Sequence, residues 1–199
     1  MSKGNNTRSA IIEKSAVLFN KKGYDGCSMQ DIMKETGLKK GGIYNHFDTK
    51  TELALEAFNY GFDKVMARFR ARLDKDSTST QKLISVIDVL TTFVSDPVLE
   101  GGCPIFNMAL KSTEEYPELK QKAREGIDMF RRYIEIKIEE GKATGEFNPS
   151  CNPSEVATFI IMTMEGGIIL SNIYNGKMEH VLSAARLLKE YISEKLLKI

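Results

Sequence analysis

Apolar residues recur at three- and four-residue intervals along almost the whole chain, the rhythm of one helix face, and no stretch of β-branched residues alternates as a strand does. The pattern predicts an all-α fold. From Thr7 to Lys22 the apolar set is Ile11, Ile12, Ala16, Leu18 and Phe19, and Gly23 stops the helix. Ser28 reads as an N-cap with Asp31 three residues on, and Ile32 and Met33 supply the buried face until a turn at Thr36-Gly37-Leu38. Gly37 suits a position of positive φ, which would turn Leu38 back into a three-helix core. A short third helix is predicted from Lys39 to Asn45. A long fourth starts near Thr49-Lys50 and runs past Arg68 on Leu53, Ala57, Phe58, Phe62, Val65 and Phe69. Asp74 to Thr80 is a polar loop. Further helices are predicted at 80–95, 104–112, 117–140, 154–175 and 178–197, punctuated by Asp96-Pro97, Pro117 and the stretch from Gly141 to Pro149. Asn152-Pro153-Ser154-Glu155 reads as a start signal, with Asn152 as cap and Pro153 at the first helical position.

Composition adds a division of charge. The 199 residues carry a formal net charge of +1, yet residues 1–50 hold nine Lys/Arg against five Asp/Glu while the remainder holds nineteen against twenty-two. A basic head of residues 1–52 on a mildly acidic body of residues 53–199 suits a protein whose first part meets phosphate. Cys27, Cys103 and Cys151 lie far apart without a CxxC pair, and His46 and His180 are the only histidines. That spacing argues against a zinc site or a disulfide scaffold and for a reducing cytoplasm. The first residues, MSKGNNTRSAII, lack the apolar core of a signal peptide, and nowhere do eighteen apolar residues run together, so no membrane span is expected. A glycine-rich phosphate loop is likewise absent from the sequence, and no cofactor or metal is expected.

The densest chemistry lies in residues 28–47, SMQDIMKETGLKKGGIYNHF. Two short helical patterns broken at Gly37 allow one helix to rest on a phosphate backbone while the next enters the major groove. Lys39 and Lys40 stand at the start of the second helix. Gly41 and Gly42 each cost a helix ~1 kcal/mol relative to Ala, so their presence asks for a reason, and close approach of this backbone to DNA supplies one. Tyr44 offers a hydroxyl to phosphate, His46 a ring nitrogen, and Lys50 a charge at the start of the following helix. Ile43 and Phe47, four apart, should face the core.

From Thr7-Arg8 through Leu53, notably AVLFNKKGYDGCSMQDIMKETGLKKGGIYNHFDTKTEL, the chain resembles the TetR family of bacterial transcriptional regulators. The resemblance implies a symmetric dimer whose subunits each join a three-helix DNA-binding head to a larger helical body enclosing an inducer pocket. It also implies a repressor that leaves its palindromic operator when a small effector binds. By the same resemblance Lys40, Gly41, Tyr44, His46 and Lys50 match positions that approach bases or phosphates, and Ser28 matches the start of the supporting helix. Gly42 departs from the family pattern, in which Ser, Thr or Ala is common.

In the body, Phe93, Cys103, Phe106, Met129, Phe130, Tyr133, Phe159 and Met162 are candidates to line a pocket for an apolar or aromatic effector. Met108 and Met164 belong to the same group, and for every member ordinary core packing is the competing reading. Ile168, Ile169 and Ile173, with Leu182, Ala185, Leu188 and Ile192 on the last helix, are candidates for a four-helix dimer interface. Cys103, after Gly101-Gly102 and before Pro104, sits near a predicted helix start, where the helix dipole favours a thiolate. GGCPIFNMAL also resembles a Gly-Cys segment in the same body region of several TetR-family regulators, some of which sense electrophiles through such a cysteine, so a thiol sensor of oxidants or electrophiles is an alternative on the same scaffold. A small helical enzyme is the alternative from another class, and it lacks a nucleophile, base and acid that the sequence brings together. An interaction protein whose head has lost DNA binding is a third.

Overall fold

Ser28 and Asp31 set the first boundary that matters for the site. In the computed structural model, which describes residues 3–111 and 115–197 with side chains from Asn6 onward, the Ser28 hydroxyl accepts from the Asp31 N–H at 3.1 Å and the Asp31 carboxylate accepts from the Ser28 N–H at 2.8 Å. This reciprocal cap starts α2 (Met29–Thr36). Gly37 ends it at φ 74°, ψ 11°, the left-handed conformation expected, and its N–H donates to the Met33 carbonyl at 2.9 Å. Before it lies α1 (Lys3–Gly26), whose helical path breaks at Gly23 (φ 74°, ψ 175°), and after it α3 (Lys40–Tyr44) and α4 (Lys50–Leu73).

The later elements are α5 (Ser79–Ser95), α6 (Pro104–Lys111), α7 (Pro117–Ala143), α8 (Pro153–Ile173) and α9 (Glu179–Tyr191). Residue 112, the expected end of α6, lies outside the described residues. Asn152 caps α8 as expected, accepting from the N–H groups of Ser154 at 3.0 Å and Glu155 at 3.4 Å. Thr78 and Gln81 make a second reciprocal cap at the start of α5, within the stretch expected as a polar loop. The last predicted helix is shorter than expected. After Tyr191 a single wider turn, Ile192–Leu196, leads to an extended Leu197 that pairs with Phe147, because the Asn148 N–H takes the Leu196 carbonyl at 2.9 Å.

Two compact units emerge. The first joins Met1–Val65 to Val98–Gly126 and the second joins Met66–Pro97 to Ile127–Ile199, so that α4 and α7 each contribute to both. In the first, Ile11, Phe19, Ile32, Ile43, Phe47 and Leu53 form a buried cluster that Leu99 and Leu119 complete. In the second, the Phe69 ring packs at a tilt against those of Phe130 at 5.1 Å and Phe93 at 6.3 Å between centroids. The Glu146 carboxylate accepts from the N–H groups of Ser79 and Thr80, both at 3.0 Å, at the start of α5. Gly141 has no room for a side chain, because a Cβ there would fall on the Phe147 ring. Helix α8 is long and apolar enough to cross a membrane by length and composition, with mean hydropathy 1.6 over an 18-residue window, and half of that window is buried within the unit. Burial of this kind is ordinary for a core helix.

Candidate nucleic-acid interface

Helix α3 is held by its apolar side and displays its polar one. Ile43 and the following Phe47 are buried, 1% and 2% exposed, whereas Lys39, Lys40, Gly41 and Tyr44 are exposed and the Lys40 ammonium lies 5.5 Å from the Tyr44 ring centre. A Cβ on Gly41 would meet nothing within 4 Å, and one on Gly42 would make only ordinary contact with Leu38. Neither glycine is therefore required by the fold. His46 is half-buried, its ring 6.5 Å from that of Phe47.

Two of the expected contact residues have work inside the head. Besides its backbone cap, Ser28 donates its hydroxyl to Asp31 at 2.7 Å, and Lys22 pairs with the same carboxylate at 2.6 Å. Lys22 and Ser28 together hold the Asp31 carboxyl well below the usual range. Lys50, expected from the sequence to meet phosphate at the start of α4, is half-buried. Its ammonium donates to the Tyr24 carbonyl at 2.6 Å and stands 4.1 Å from the centre of the Tyr24 ring. The Tyr24 hydroxyl shares a hydrogen bond with Thr51 at 2.8 Å, so Lys50 ties the end of α1 to the start of α4. Sequence reasoning missed this because Tyr24 and Lys50 are far apart along the chain. Burial pushes the neighbouring Cys27 thiol up to about 11, keeping it protonated.

The expected effector wall is not assembled as predicted. Phe93 and Phe130 are fully packed and Tyr133 half-buried around Phe69, while Met129, Phe159 and Met162 face outward, Met162 62% exposed, and do not line an enclosed cavity. The reason is that α7 and α8 carry apolar residues on more than one side, so an apolar residue there need not point inward. Phe106 is half-buried and Cys103 is buried, 6% exposed, so the thiol has little surface at which to meet an electrophile. Phe159 and Met162 line only an open surface hollow with Ser154, Glu155 and Thr158, while a narrower cleft lies in the first unit, lined by Ala16, Phe19, Asn20, Gly23, Tyr24, Ala54, Ala57, Phe58, Leu99, Pro104, Asn107, Met108 and Lys111. Of the residues of this cleft, only Met108 was foreseen as a wall residue. Among the described residues no group of three His, Cys, Asp or Glu stands together to hold a metal.

Residues 11–57 match the model of bacterial regulatory proteins of the tetR family, and residues 79–187, more than half the chain, match that of the tetracyclin repressor-like C-terminal domain. The chain belongs to the TetR family. A TetR transcriptional regulator from Chloroflexus aurantiacus J-10-FL is 38% identical, with a TM-score of 0.95 over 100% of both chains. A TetR-family regulator from Cytophaga hutchinsonii is 28% identical, with a TM-score of 0.90 over 100% of this chain and 99% of that one. The HTH-type transcriptional repressor DhaR of Mycobacterium sp. (strain GP1) is 28% identical over 171 residues, 83% of this chain and 82% of DhaR. This protein is thus a helix-turn-helix transcriptional regulator rather than an enzyme.

In this TetR-family regulator the candidate interface residues separate into two sets. Ile168, Ala185, Leu188 and Ile192 are buried within the second unit, each at most 5% exposed, because α8 and α9 pack on one another and on α5. They are corrected from surface contacts to core. Ile169, Ile173 and Leu182 are exposed, Ile173 at 66%, as are Leu170, Tyr174 and Leu187 on the same two stretches of chain. Gly167 allows the helices to approach, since a Cβ there would lie 3.0 Å from that of Ala184.

Proposed function

We propose that this TetR-family regulator is a cytoplasmic homodimeric repressor that binds a palindromic operator through α2 and α3 and leaves it when a small apolar or aromatic effector binds. One observation carries the reading: α3 is anchored by Ile43 and Phe47 and turns Lys39, Lys40, Tyr44 and an unhindered Gly41 outward. A short helix with that outer face suits entry into the major groove, with lysines on phosphates and base edges and a glycine where backbone and DNA approach closely. Residues 1–52 form the DNA-binding head and residues 53–199 the effector and dimerisation part. Lys50 and Ser28 serve DNA chiefly by setting the angle of the head, and His46 contributes at its edge.

The repressor assignment is supported by DhaR, which is itself a repressor. Exposed Ile169, Ile173 and Leu182 support a dimer through α8 and α9, whose two-fold axis would set two heads on half-sites about 34–36 Å apart. Titration of the duplex upstream of the protein's own gene, at several salt concentrations, tests the reading. Specific binding that weakens steeply with salt is expected, and in Lys40→Ala a relaxed preference over a scrambled duplex. Equal affinity of the wild-type protein for specific and scrambled duplexes would contradict it.

A further inference from the structure

The end of α1 is bound to α6 by a set of polar contacts with a cleft beside them. Lys111, in the last turn of α6, donates its ammonium to the carbonyls of Asn20 at 2.7 Å and Lys21 at 3.2 Å, just before the helical path breaks at Gly23. Asn20 is 5% exposed. Its amide donates to the carbonyls of Glu100 at 2.9 Å and Gly102 at 3.0 Å, and its oxygen accepts from Asn107 at 3.0 Å. Lys21 pairs with Glu100 at 2.7 Å, and Gly101, at φ 102°, passes so close that a Cβ would lie 3.2 Å from the Asn20 carbonyl oxygen. Any shift of α6 is therefore felt at the helix that supports α2 and α3.

The cleft encloses about 400 Å³ including its open mouth and is narrow as it stands. Its walls combine the rings of Phe19, Tyr24 and Phe58 with the flexible Met108 and the Lys111 stem. Met108 and Lys111 have the rotatable bonds needed to widen it around a flat ring. The partners that hold the Lys111 ammonium on α1 are neutral carbonyls, and burial lowers its pKa.

We propose that this cleft is an effector site for a small planar aromatic carboxylate, whose ring lies among Phe19, Tyr24 and Phe58 and whose carboxylate draws the Lys111 ammonium from the carbonyls of α1. The inference rests on the regulator reading above, specifies its ligand and places the site where α1 meets α4 and α6, not within residues 53–199 alone. A carboxylate is a stronger acceptor for an ammonium than a neutral carbonyl is, so ligand entry replaces the α6–α1 contact with a charge-assisted one. The last regular turn of α1 then loses its cap, and the head is freed from the orientation that suits the operator.

The test uses the full chain and two fluorine-labelled probes, 4-fluorobenzoate and its neutral analogue 4-fluorobenzamide, with binding read by fluorine NMR and operator release by anisotropy. The wild-type protein is expected to prefer the benzoate by about tenfold or more, the scale of one charge-assisted hydrogen bond. Lys111→Met should erase that preference while retaining the melting curve of a folded protein, and Met108→Ala, which widens the mouth and leaves Lys111 in place, should strengthen benzoate binding. If Lys111→Met fails to fold, the Met108→Ala result and the benzoate preference decide the matter alone. Equal binding of the two probes, no binding of either, or a preference that survives Lys111→Met would overturn the site. A Lys111-dependent preference with no duplex bound under any condition would support the site and refute DNA binding. Specific duplex binding without that preference would do the reverse.

Discussion

Helices α3 and α8 use their outward faces in opposite ways. On α3 the chemistry is sorted: Ile43 is inside and Lys39, Lys40 and Tyr44 are outside. On α8 it is not, since Ile160, Met164 and Ile168 are buried while Met162, Leu170 and Ile173, side chains of the same kind, are exposed. Polar side chains on an outer face are satisfied by water as they are, whereas a row of exposed apolar ones gains from a partner. The outer face of α3 thus suits a charged partner, and that of α8 suits a surface like itself.

The largest effect that would break this contrast comes from putting the same charge on the two sides of α8. Ile168→Asp buries a carboxylate in the core and should destabilise the protein by ~3–5 kcal/mol, seen as a collapse of the thermal transition. Ile173→Asp should leave the fold intact and convert the dimer to a monomer in light scattering at micromolar concentration. Similar behaviour of the two variants would show that α8 has no free face.

The contrast also explains what the sequence made legible. In the head, Lys39, Lys40 and Tyr44 mark the outer side against Ile43 and Phe47, so the turn at Gly37, the cap at Ser28 and the core residues were all readable from spacing. In α8 apolar residues fall on every side of the helix, and no polar stripe distinguishes Ile168 from Ile169, so spacing alone does not separate core from surface. The cleft was illegible for another reason. Asn20, Tyr24, Phe58 and Lys111 come from α1, α4 and α6, and only the tertiary fold brings them together. Lys50 belongs with them, because nothing local to Lys50 points to Tyr24.

Lys50→Ala has the next largest effect. It removes a hydrogen bond to the Tyr24 carbonyl and a cation above that ring, and should cost ~1–3 kcal/mol of stability by denaturant titration. A variant as stable as the wild type would return Lys50 to the role of a free phosphate contact.

Gly41→Ala sharpens the picture of α3. Because the fold leaves open space there, the substitution should stabilise the protein by up to ~1 kcal/mol through helix propensity while weakening operator affinity. Unchanged affinity would show that the backbone at Gly41 does not approach DNA closely.

The smallest effect is one of pH. Asp31 is depressed in the folded head, so its contribution to stability is complete above the ordinary value of 3.8 and is lost as pH falls below it towards the depressed value. Asp31→Asn should flatten the dependence of melting temperature on pH in that acid range and leave it unaltered near neutrality. An equally steep acid limb in the variant would assign it to other carboxylates.

Native mass spectrometry of the protein mixed with its upstream duplex tests both faces at once. Two chains per duplex are expected for the wild type, free dimer with little duplex bound for Lys40→Ala, and free monomer for Ile173→Asp. A Lys40→Ala variant that retains full duplex occupancy, or an Ile173→Asp variant that still assembles as a dimer on DNA, would contradict the division of labour between α3 and α8.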